Sequence, residues 1–428
     1  MSTAAIVLIA TMIILLMLGA PIGVSMTLAS VAAITFMART PLIVAPQRMF
    51  TSIDSFPFMA IPFFVFAGEF MLQGGLSKRL VNLAEALMQN VRGGLALVSI
   101  VTCAFFGAIS GSALATTAAI GGVMYPEMKA RGYKEGFSAS VQAVGGTLGI
   151  LIPPSIPLVV YGVIANVSIA NLFLAIIGAG LLLTLTYCLA CYFLVVKENM
   201  LPDEARARIP IGPAFKNAVW GLLSPVIILG GIYTGIFTPT ESAIVATVYS
   251  LIIGKFIYKE LNGANFIGAI KKGCLTTAGI MFIIAAASLF GWLMTALKVP
   301  VYVSNAMLSL VDSKIGFLLL VNLIFLIAGM FMETASIILL TVPLLLPVAV
   351  GLGVDPLHFG IISVTNLSLG LISPPFGASL FVASGMSGVS IMTLYRRSIF
   401  FLICGIVSTL LVTYVPALTL GLLSLFGK

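Results

Sequence analysis

Groups able to do chemistry gather around two proline pairs. Gly149-Ile150-Leu151-Ile152-Pro153-Pro154 recurs as Gly370-Leu371-Ile372-Ser373-Pro374-Pro375, at an offset of 221 residues (374 minus 153). Proline has no N–H, so each pair leaves upstream carbonyls without helical donors: Gly149 and Ile150 in the first run, Gly370 and Leu371 in the second. In an apolar stretch such carbonyls need a cation or water. Small hard cations such as Na⁺ take oxygen ligands, and nearby turns supply them: Ser110 and Ser112 in Gly-Ala-Ile-Ser-Gly-Ser, Thr334 and Ser336 in Glu-Thr-Ala-Ser. The pattern predicts at least two Na⁺ sites. The first takes Ser110, Ser112, Gly145, Gly149 and Ile150; the second takes Thr334, Ser336, Asn366, Gly370 and Leu371. Hydroxyls on apolar helices also bond back to their own backbone, which is the structural alternative for each of these side chains.

Ionisable groups in apolar surroundings are functional candidates. Glu333 sits at a turn between apolar runs and is the preferred acidic site residue. Glu69 ends an apolar run, where it serves either a site or the cytoplasmic interface. Thr238-Pro239-Thr240-Glu241 fits a capping box, with Thr238 as N-cap and Glu241 at N3, so Glu241 is read as structural. His358, the only histidine, falls in a predicted outside loop and is given no role. No Lys or Arg is placed at mid-membrane, so an anionic substrate must be held by helix N-termini, hydroxyls and bound Na⁺. Its expected contacts are Ser110, Ser112, Thr116, Ser155, Glu333, Thr334 and Ser373. An enzyme is not expected, because the chain has one His and no HExxH motif.

The elements that must position these residues are membrane helices. Of the 428 residues 60% are hydrophobic and 8% charged, with mean hydropathy +1.20. A soluble chain carries roughly 25% charge, so this one has too little polar surface for water. At about 20 residues per crossing, the apolar runs allow on the order of ten spans. The 21 Lys and Arg against 13 Asp and Glu lie in short gaps, where membrane topology and not nucleic acid explains them. The five cysteines lie in apolar runs and are read as small buried side chains, the Cys188, Cys191 pair included. The N-terminus lacks a basic leader segment and is read as a first span.

Gaps 74–92, 125–136, 197–216 and 255–272 hold most basic residues and are assigned to the cytoplasm. Gaps 39–56, 298–314 and 351–358 and both chain ends then fall outside, with Arg39, Arg48, Lys298 and Lys314 as the minority that disagree. Short runs at 113–124 and 335–350 each follow another run across a small polar tip, which predicts hairpins entering and leaving on one side. Runs 137–165 and 359–390 contain the proline pairs and read as broken helices. Pro126 also matches Pro347 and Gly132 matches Gly353 at the same offset, while Gly68 and Gly291, Asn82 and Asn305, Pro21 and Pro239 match with small shifts. Equivalent gaps carry opposite charge signals, the mark of an inverted repeat.

The fold class is therefore an all-α polytopic membrane protein with an inverted-topology repeat, two re-entrant hairpins and two broken helices. Residues 1–210 form the first repeat, with amphipathic arm 76–90, hairpin 93–124 and broken helix 137–165. Residues 211–428 form the second, with arm 299–311, hairpin 315–350 and broken helix 359–390. This is the parts list of an ion-coupled secondary transporter, in which paired half-helix ends meet at mid-membrane. A passive anion channel is the alternative from a different class.

At these motifs the chain resembles the large membrane subunit of tripartite ATP-independent periplasmic (TRAP) transporters, the DctM-like family. The resemblance runs through Ala60-Ile61-Pro62-Phe63-Phe64 to Ala67-Gly68-Glu69, Phe106-Gly107-Ala108-Ile109-Ser110-Gly111-Ser112, Ile152-Pro153-Pro154-Ser155, Gly235-Ile236-Phe237-Thr238-Pro239-Thr240-Glu241 and Ser373-Pro374-Pro375. It implies a bacterial or archaeal cytoplasmic-membrane protein importing organic acids with Na⁺. It also implies two partners, a small four-helix membrane subunit and a periplasmic substrate-binding protein, and an elevator motion of hairpins and broken helices against a scaffold. Family substrates include C4-dicarboxylates, sialic acid and other carboxylates, and no residue here chooses among them. The nearest alternative is a free-standing Na⁺- or H⁺-coupled carboxylate transporter that needs no binding protein.

Overall fold

The computed structural model describes residues 2–37, 40–88, 91, 93–200, 210–310 and 313–425. Arg39, Asn90, Arg92, Arg206, Arg208 and Val311, which entered the topology and arm assignments, lie outside the described residues. Those described form helices and no strand. The first half comprises α1 (Thr3–Met17), α2 (Ile22–Thr35), α3 (Val44–Ile53), α4 (Ala60–Gln73), α5 (Leu76–Met88), α6 (Gly94–Ser110), α7 (Ala113–Ala130), α8 (Glu135–Thr147), α9 (Ile156–Ile164) and α10 (Ile169–Lys197). The second comprises α11 (Ile211–Tyr233), α12 (Pro239–Ile252), α13 (Gly263–Ala296), α14 (Val299–Leu310), α15 (Lys314–Phe331), α16 (Thr334–Gly351), α17 (Pro356–Gly370), α18 (Ala378–Ser387), α19 (Ile391–Tyr414) and α20 (Ala417–Leu425). Among the described residues, eight helical segments are long and apolar enough to cross a membrane.

The repeat is visible in the element bounds. α7 and α16 start at residues 113 and 334, and α8 and α17 at 135 and 356, each pair separated by the 221 residues of the proline offset (334 minus 113, 356 minus 135). α6 with α7, and α15 with α16, are the two hairpins. The helix α8 runs into a 3₁₀ turn (Leu148–Ile150), breaks, and resumes as α9; α17 breaks and resumes as α18. The halves interlock reciprocally, α9 packing on α16 and α17, and α18 on α7 and α8. Tyr161 of α9 donates to Pro356 O at 2.5 Å, and Tyr125 of α7 to Ser387 O at 3.2 Å. Around this block, α4 packs against α12 and α13, and α13 against α2 and α3. Large apolar side chains such as Leu181, Leu185 and Leu189 on α10 stay exposed because their solvent is lipid.

Four sequence expectations need correction. The gap 39–56 contains α3, which packs on α13 and stacks Arg48 over Trp292 at 5.0 Å. The gap 255–272 holds the end of a π turn (Ile253–Ile257) and the first turns of α13, a helix of 34 residues. Pro416 separates α19 from α20, since proline cannot continue the helix. His358 is not in a loop. It lies in the first turn of α17, 3% exposed, with its ring nitrogens paired to Thr419 Oγ1 at 2.8 Å and Thr413 O at 3.1 Å. Among the cysteines, Cys274 is exposed and not buried, and all five are free.

Ion pairs join the four basic gaps on one face of the molecule. Arg79 pairs with Glu260 at 2.6 Å, Arg131 with Glu85, and Lys134 with Glu198 at 2.6 Å; Arg397 of α19 reaches Glu198 at 2.5 Å. The Lys134 hydrogen bond, followed by the Arg397 charge, holds the Glu198 carboxyl below its usual 4.5. Its folded-state value is depressed, so the stabilisation is present above about pH 4.5 and is lost as pH falls through the lowered value. Thermal melting between pH 3 and 6 is expected to show this acid-side loss, and Glu198→Gln to flatten it. An unchanged acid limb in Glu198→Gln would remove the clamp from the account.

Candidate functional site

Ser110 ends α6 and Ser112 caps α7, with Gly111 between them in the left-handed region at φ 61°. A glycine is needed there because a Cβ would be strained at that φ and would lie 2.9 Å from Pro154 O. The tip is wired to the break beside it. Ser110 Oγ lies 2.9 Å from Thr116 Oγ1, which donates to Ser112 O at 2.8 Å, and Ile156 N donates to Gly111 O at 3.3 Å. A Cβ on Gly149 would stand 2.6 Å from Ser112 O and against Thr116 Oγ1, and one on Gly107 would stand 2.7 Å from Gly149 Cα. The structure therefore brings together Ser110, Ser112, Thr116, Gly149, Ile150 and Ser155. Gly145 stands a turn back, facing Cys103 and Ile100 of α6.

At the second tip, Glu333 is the N-cap of α16, its Oε2 accepting from Ala335 N at 3.0 Å and Ser336 N at 3.4 Å. The offset of 221 makes Glu333 the counterpart of Ser112 (333 minus 112), so the same capping position is filled by a carboxylate in one repeat and a hydroxyl in the other. Gly370 packs on Gly329 backbone to backbone, as Gly149 does on Gly107. Thr334 is 2% exposed. Ser336 Oγ, Thr365 Oγ1, Asn366 Oδ1 and Ser379 Oγ are buried with no hydrogen-bond partner among the described residues. Asn366 Nδ2 donates to Asn322 Oδ1 at 2.6 Å, and Thr413 Oγ1 reaches the same oxygen at 3.3 Å.

The carbonyls freed by the prolines are largely reclaimed by the loops, which corrects the expectation of bare carbonyls. Ser155 Oγ donates to Ile150 O at 2.7 Å, Ser373 N to Gly370 O at 3.1 Å and Ser379 N to Leu371 O at 3.0 Å. Each carbonyl keeps a second lone pair. Ser373 Oγ bonds back to Leu369 O at 2.8 Å, so its hydroxyl serves its own chain.

Both tips open on one cavity of about 480 Å³. Ser110, Ser112, Ile150, Glu333, Thr334 and Leu371 line one wall; α4 and α13 supply the other through Glu69 and Thr276. Asn366 instead lines a second cavity of about 520 Å³ with Asn322 and Thr409, between α15, α17 and α19. Among the described residues no group of three or more His, Cys, Asp or Glu could hold a metal, and the oxygens that line the first cavity are hydroxyls, carbonyls and the carboxylates of Glu69 and Glu333. Thr238 and Glu241 form the expected capping box, Thr238 N donating to Glu241 Oε2 at 2.8 Å and Glu241 N to Thr238 Oγ1 at 3.3 Å. Sequence reasoning missed Asn322, Thr276 and the packing of Gly107 and Gly329; the amide of Asn322 inside an apolar run was the one available signal.

The sequence profile of the family described as tripartite ATP-independent periplasmic transporter, DctM component, matches residues 9–418. The chain is 45% identical over 405 residues to the isethionate TRAP transporter permease protein DctMQ of Oleidesulfovibrio alaskensis, covering 94% of this chain and 64% of that longer protein. It is 41% identical to the C4-dicarboxylate TRAP transporter large permease protein DctM of Pseudomonas aeruginosa, covering 89% of each. With the sialic acid TRAP transporter large permease protein SiaM of Vibrio cholerae it shares 36% identity over 96% of each. Among solved structures, the YdaH transporter of Alcanivorax borkumensis aligns over 85% of this chain and 86% of its own, with TM-score 0.63 at 16% identity. At that identity the likeness is one of fold.

Proposed function

The chain belongs to the DctM component family of tripartite ATP-independent periplasmic transporters, and from that premise we propose that it is the large membrane subunit of a sodium-coupled organic-acid importer. The observation that carries the proposal is the convergence of both hairpin tips and both helix breaks on one cavity. The N-terminus of α7 supplies N–H groups for an anion, those of Ala335 and Ser336 at α16 being held by Glu333, and the tip hydroxyls and loop carbonyls supply oxygens for Na⁺. We assign one Na⁺ to each tip with its adjoining break. The unpartnered Ser336, Thr365, Asn366 and Ser379 oxygens support the second of these, since buried polar atoms without partners are rare. Binding Na⁺ before the acid gives the anion its counter-charge, which couples the two fluxes.

In the proposed elevator motion, repeats 1–210 and 211–428 each contribute hairpin and broken helix to a moving block, and α4, α12 and α13 to a scaffold. The α5 and α14 arms join them. The names of relatives place C4-dicarboxylates, sialic acid, isethionate and 2,3-diketo-L-gulonate among family substrates, and a carboxylate of this size range is proposed for this chain. A small membrane subunit and a periplasmic binding protein are the proposed partners, at a bacterial or archaeal cytoplasmic membrane.

The test is uptake into proteoliposomes holding this chain, its small membrane partner and the cognate binding protein, with each component and the inward Na⁺ gradient left out in turn. Uptake is expected to require all of them. Transport by the chain alone would make it a free-standing carrier, and uptake indifferent to the gradient would reduce it to a passive path.

A further inference from the structure

Two amides lie inside the apolar second repeat and bond to each other. Asn322 of α15 is 6% exposed and Asn366 of α17 is 3% exposed. Asn322 Nδ2 donates to Leu318 O at 2.6 Å. A carbonyl oxygen only accepts, so this contact fixes which end of the Asn322 amide is nitrogen. Its Oδ1 is left to accept from Asn366 Nδ2 at 2.6 Å, with Thr413 Oγ1 of α19 reaching the same oxygen at 3.3 Å. The Asn366 amide is fixed in turn, because turning it over would set oxygen against oxygen. What remains is Asn366 Oδ1, buried and without a donor among the described residues.

The first repeat has no such pair. At the offset of 221, Asn366 corresponds to Gly145 (366 minus 145) and Asn322 to Val101 (322 minus 101). A Cβ on Gly145 would meet Cys103 Sγ at 3.0 Å and the Ile100 side chain, so the equivalent contact between α6 and α8 is apolar. The amides are therefore an addition to the second repeat and not a requirement of this packing.

We propose that Asn322 is a positioning residue for the second Na⁺ site, holding the Asn366 amide so that its oxygen, and not its nitrogen, is presented to the ion. This role rests on the reading of a Na⁺ at the Thr334 tip and its adjoining break, with Asn366 one helical turn before Gly370. An ion that sheds its water needs oxygens in place of the hydration shell, and the N–H₂ end of an amide has donors only. The cavity that the pair lines offers Oδ1 no donor: its other described residues are Gly316, leucines, Ile406 and Thr409, whose own Oγ1 is unpartnered. Without Asn322 the Asn366 amide is held in neither orientation, and only a fraction of molecules present oxygen to the ion.

Melting temperatures of the purified chain in lipid nanodiscs, titrated with NaCl against choline chloride at constant ionic strength, read Na⁺ binding without transport. Asn322→Leu is expected to raise the apparent Kd for Na⁺ about tenfold, the usual cost of losing a residue that orients a metal ligand. Asn366→Leu is expected to raise it at least as far. The double variant is expected to bind Na⁺ no more weakly than Asn366→Leu alone, since Asn322 acts only through Asn366. The double variant also leaves no amide unpaired, so its comparison with Asn366→Leu decides the matter even where Asn322→Leu alone does not fold. Thr413→Val removes the other donor to Asn322 Oδ1 and is expected to leave the Kd unchanged. An unshifted Kd in Asn322→Leu, a further loss in the double variant, or an equal shift in Thr413→Val overturns the proposal. The pair is then a helix-joining contact, whose loss lowers the melting temperature alike at every Na⁺ concentration. A wild type that melts alike in NaCl and choline chloride, or an Asn366→Leu curve that matches wild type, overturns the reading of the second site itself and the role of Asn322 with it.

Discussion

Gly149→Ala is expected to reduce uptake at least tenfold and to lower thermal stability by about 1–3 kcal/mol, the usual cost of forcing a group into a filled site. The added Cβ would lie 2.6 Å from Ser112 O and 3.0 Å from Ser112 C, against Thr116 Oγ1. Much of what it meets is backbone, so a rotamer change cannot relieve the clash; either the tip withdraws from the break or the break from the tip. Gly370→Ala repeats the conflict in the second half, 2.5 Å from Gly329 C. The control lies in α7, in the hairpin against which Gly149 packs. Gly122 has nothing within 4 Å of its virtual Cβ, so Gly122→Ala is expected to preserve uptake and to gain up to about 1 kcal/mol from helix propensity. Melting curves and initial uptake rates decide the matter, and a Gly149→Ala protein as active as Gly122→Ala would mean that tip and break need not touch.

The second large effect is expected at Glu333. Its carboxylate accepts from two N–H groups at the start of α16, whereas Ser112 at the equivalent position accepts one, at 3.4 Å. Loss of an N-cap costs about 0.5–2 kcal/mol, and a charged acceptor belongs at the upper end of that range. Glu333→Ala is therefore expected to destabilise the protein more than Ser112→Ala, and to cut uptake at least tenfold by leaving the tip backbone unheld. Glu333→Gln keeps an acceptor and is expected to recover most of the stability. Equal melting temperatures for Glu333→Ala and Ser112→Ala would contradict the asymmetry between the repeats.

The parts of the fold that depend on local chemistry were legible in the sequence. A proline pair cannot sit inside a helix, so the breaks at Pro153 and Pro374 follow from residue identity. A small polar tip between two short apolar runs gives the hairpins, and the Thr238 to Glu241 pattern gives its cap. The repeat followed from one offset that reappears in the starts of α7 and α16 and of α8 and α17. What stayed hidden depends on residues distant in sequence. Hydropathy cannot tell a lipid-facing helix from one facing another helix, so α3 was read as a gap and the extent of α13 was cut short. His358 was placed in a loop for the same reason, since its partners Thr413 and Thr419 arrive from another segment.

The site itself was half legible. Hydroxyls at the tips could be read from their motifs, and the structure brings Ser110, Ser112, Glu333 and Thr334 to one cavity. The recapture of Ile150 O by Ser155 and of Leu371 O by Ser379 could not be read. Whether a carbonyl is free depends on how the loop after the proline folds back, and that is a tertiary property. The close approach of Gly107 to Gly149 and of Gly329 to Gly370 was likewise invisible, because a glycine in an apolar run carries no sign of what it packs against. Glu69 shows the limit most clearly. Its position at the end of an apolar run fitted an interface as well as a site, and only the folded chain puts it in the lining of the cavity that holds the tips.

The dependence of initial uptake rate on external Na⁺ concentration, measured in the reconstituted complex, tests most directly the claim that each tip with its break holds a coupling ion. Wild type is expected to respond steeply, with a Hill coefficient above 1. Ser112→Ala and Thr334→Ala, one per repeat, are each expected to shift the curve to higher Na⁺ and to flatten it. Uptake that saturates with a Hill coefficient of 1 and keeps that curve in both variants, or that ignores Na⁺ altogether, would contradict the two-site account.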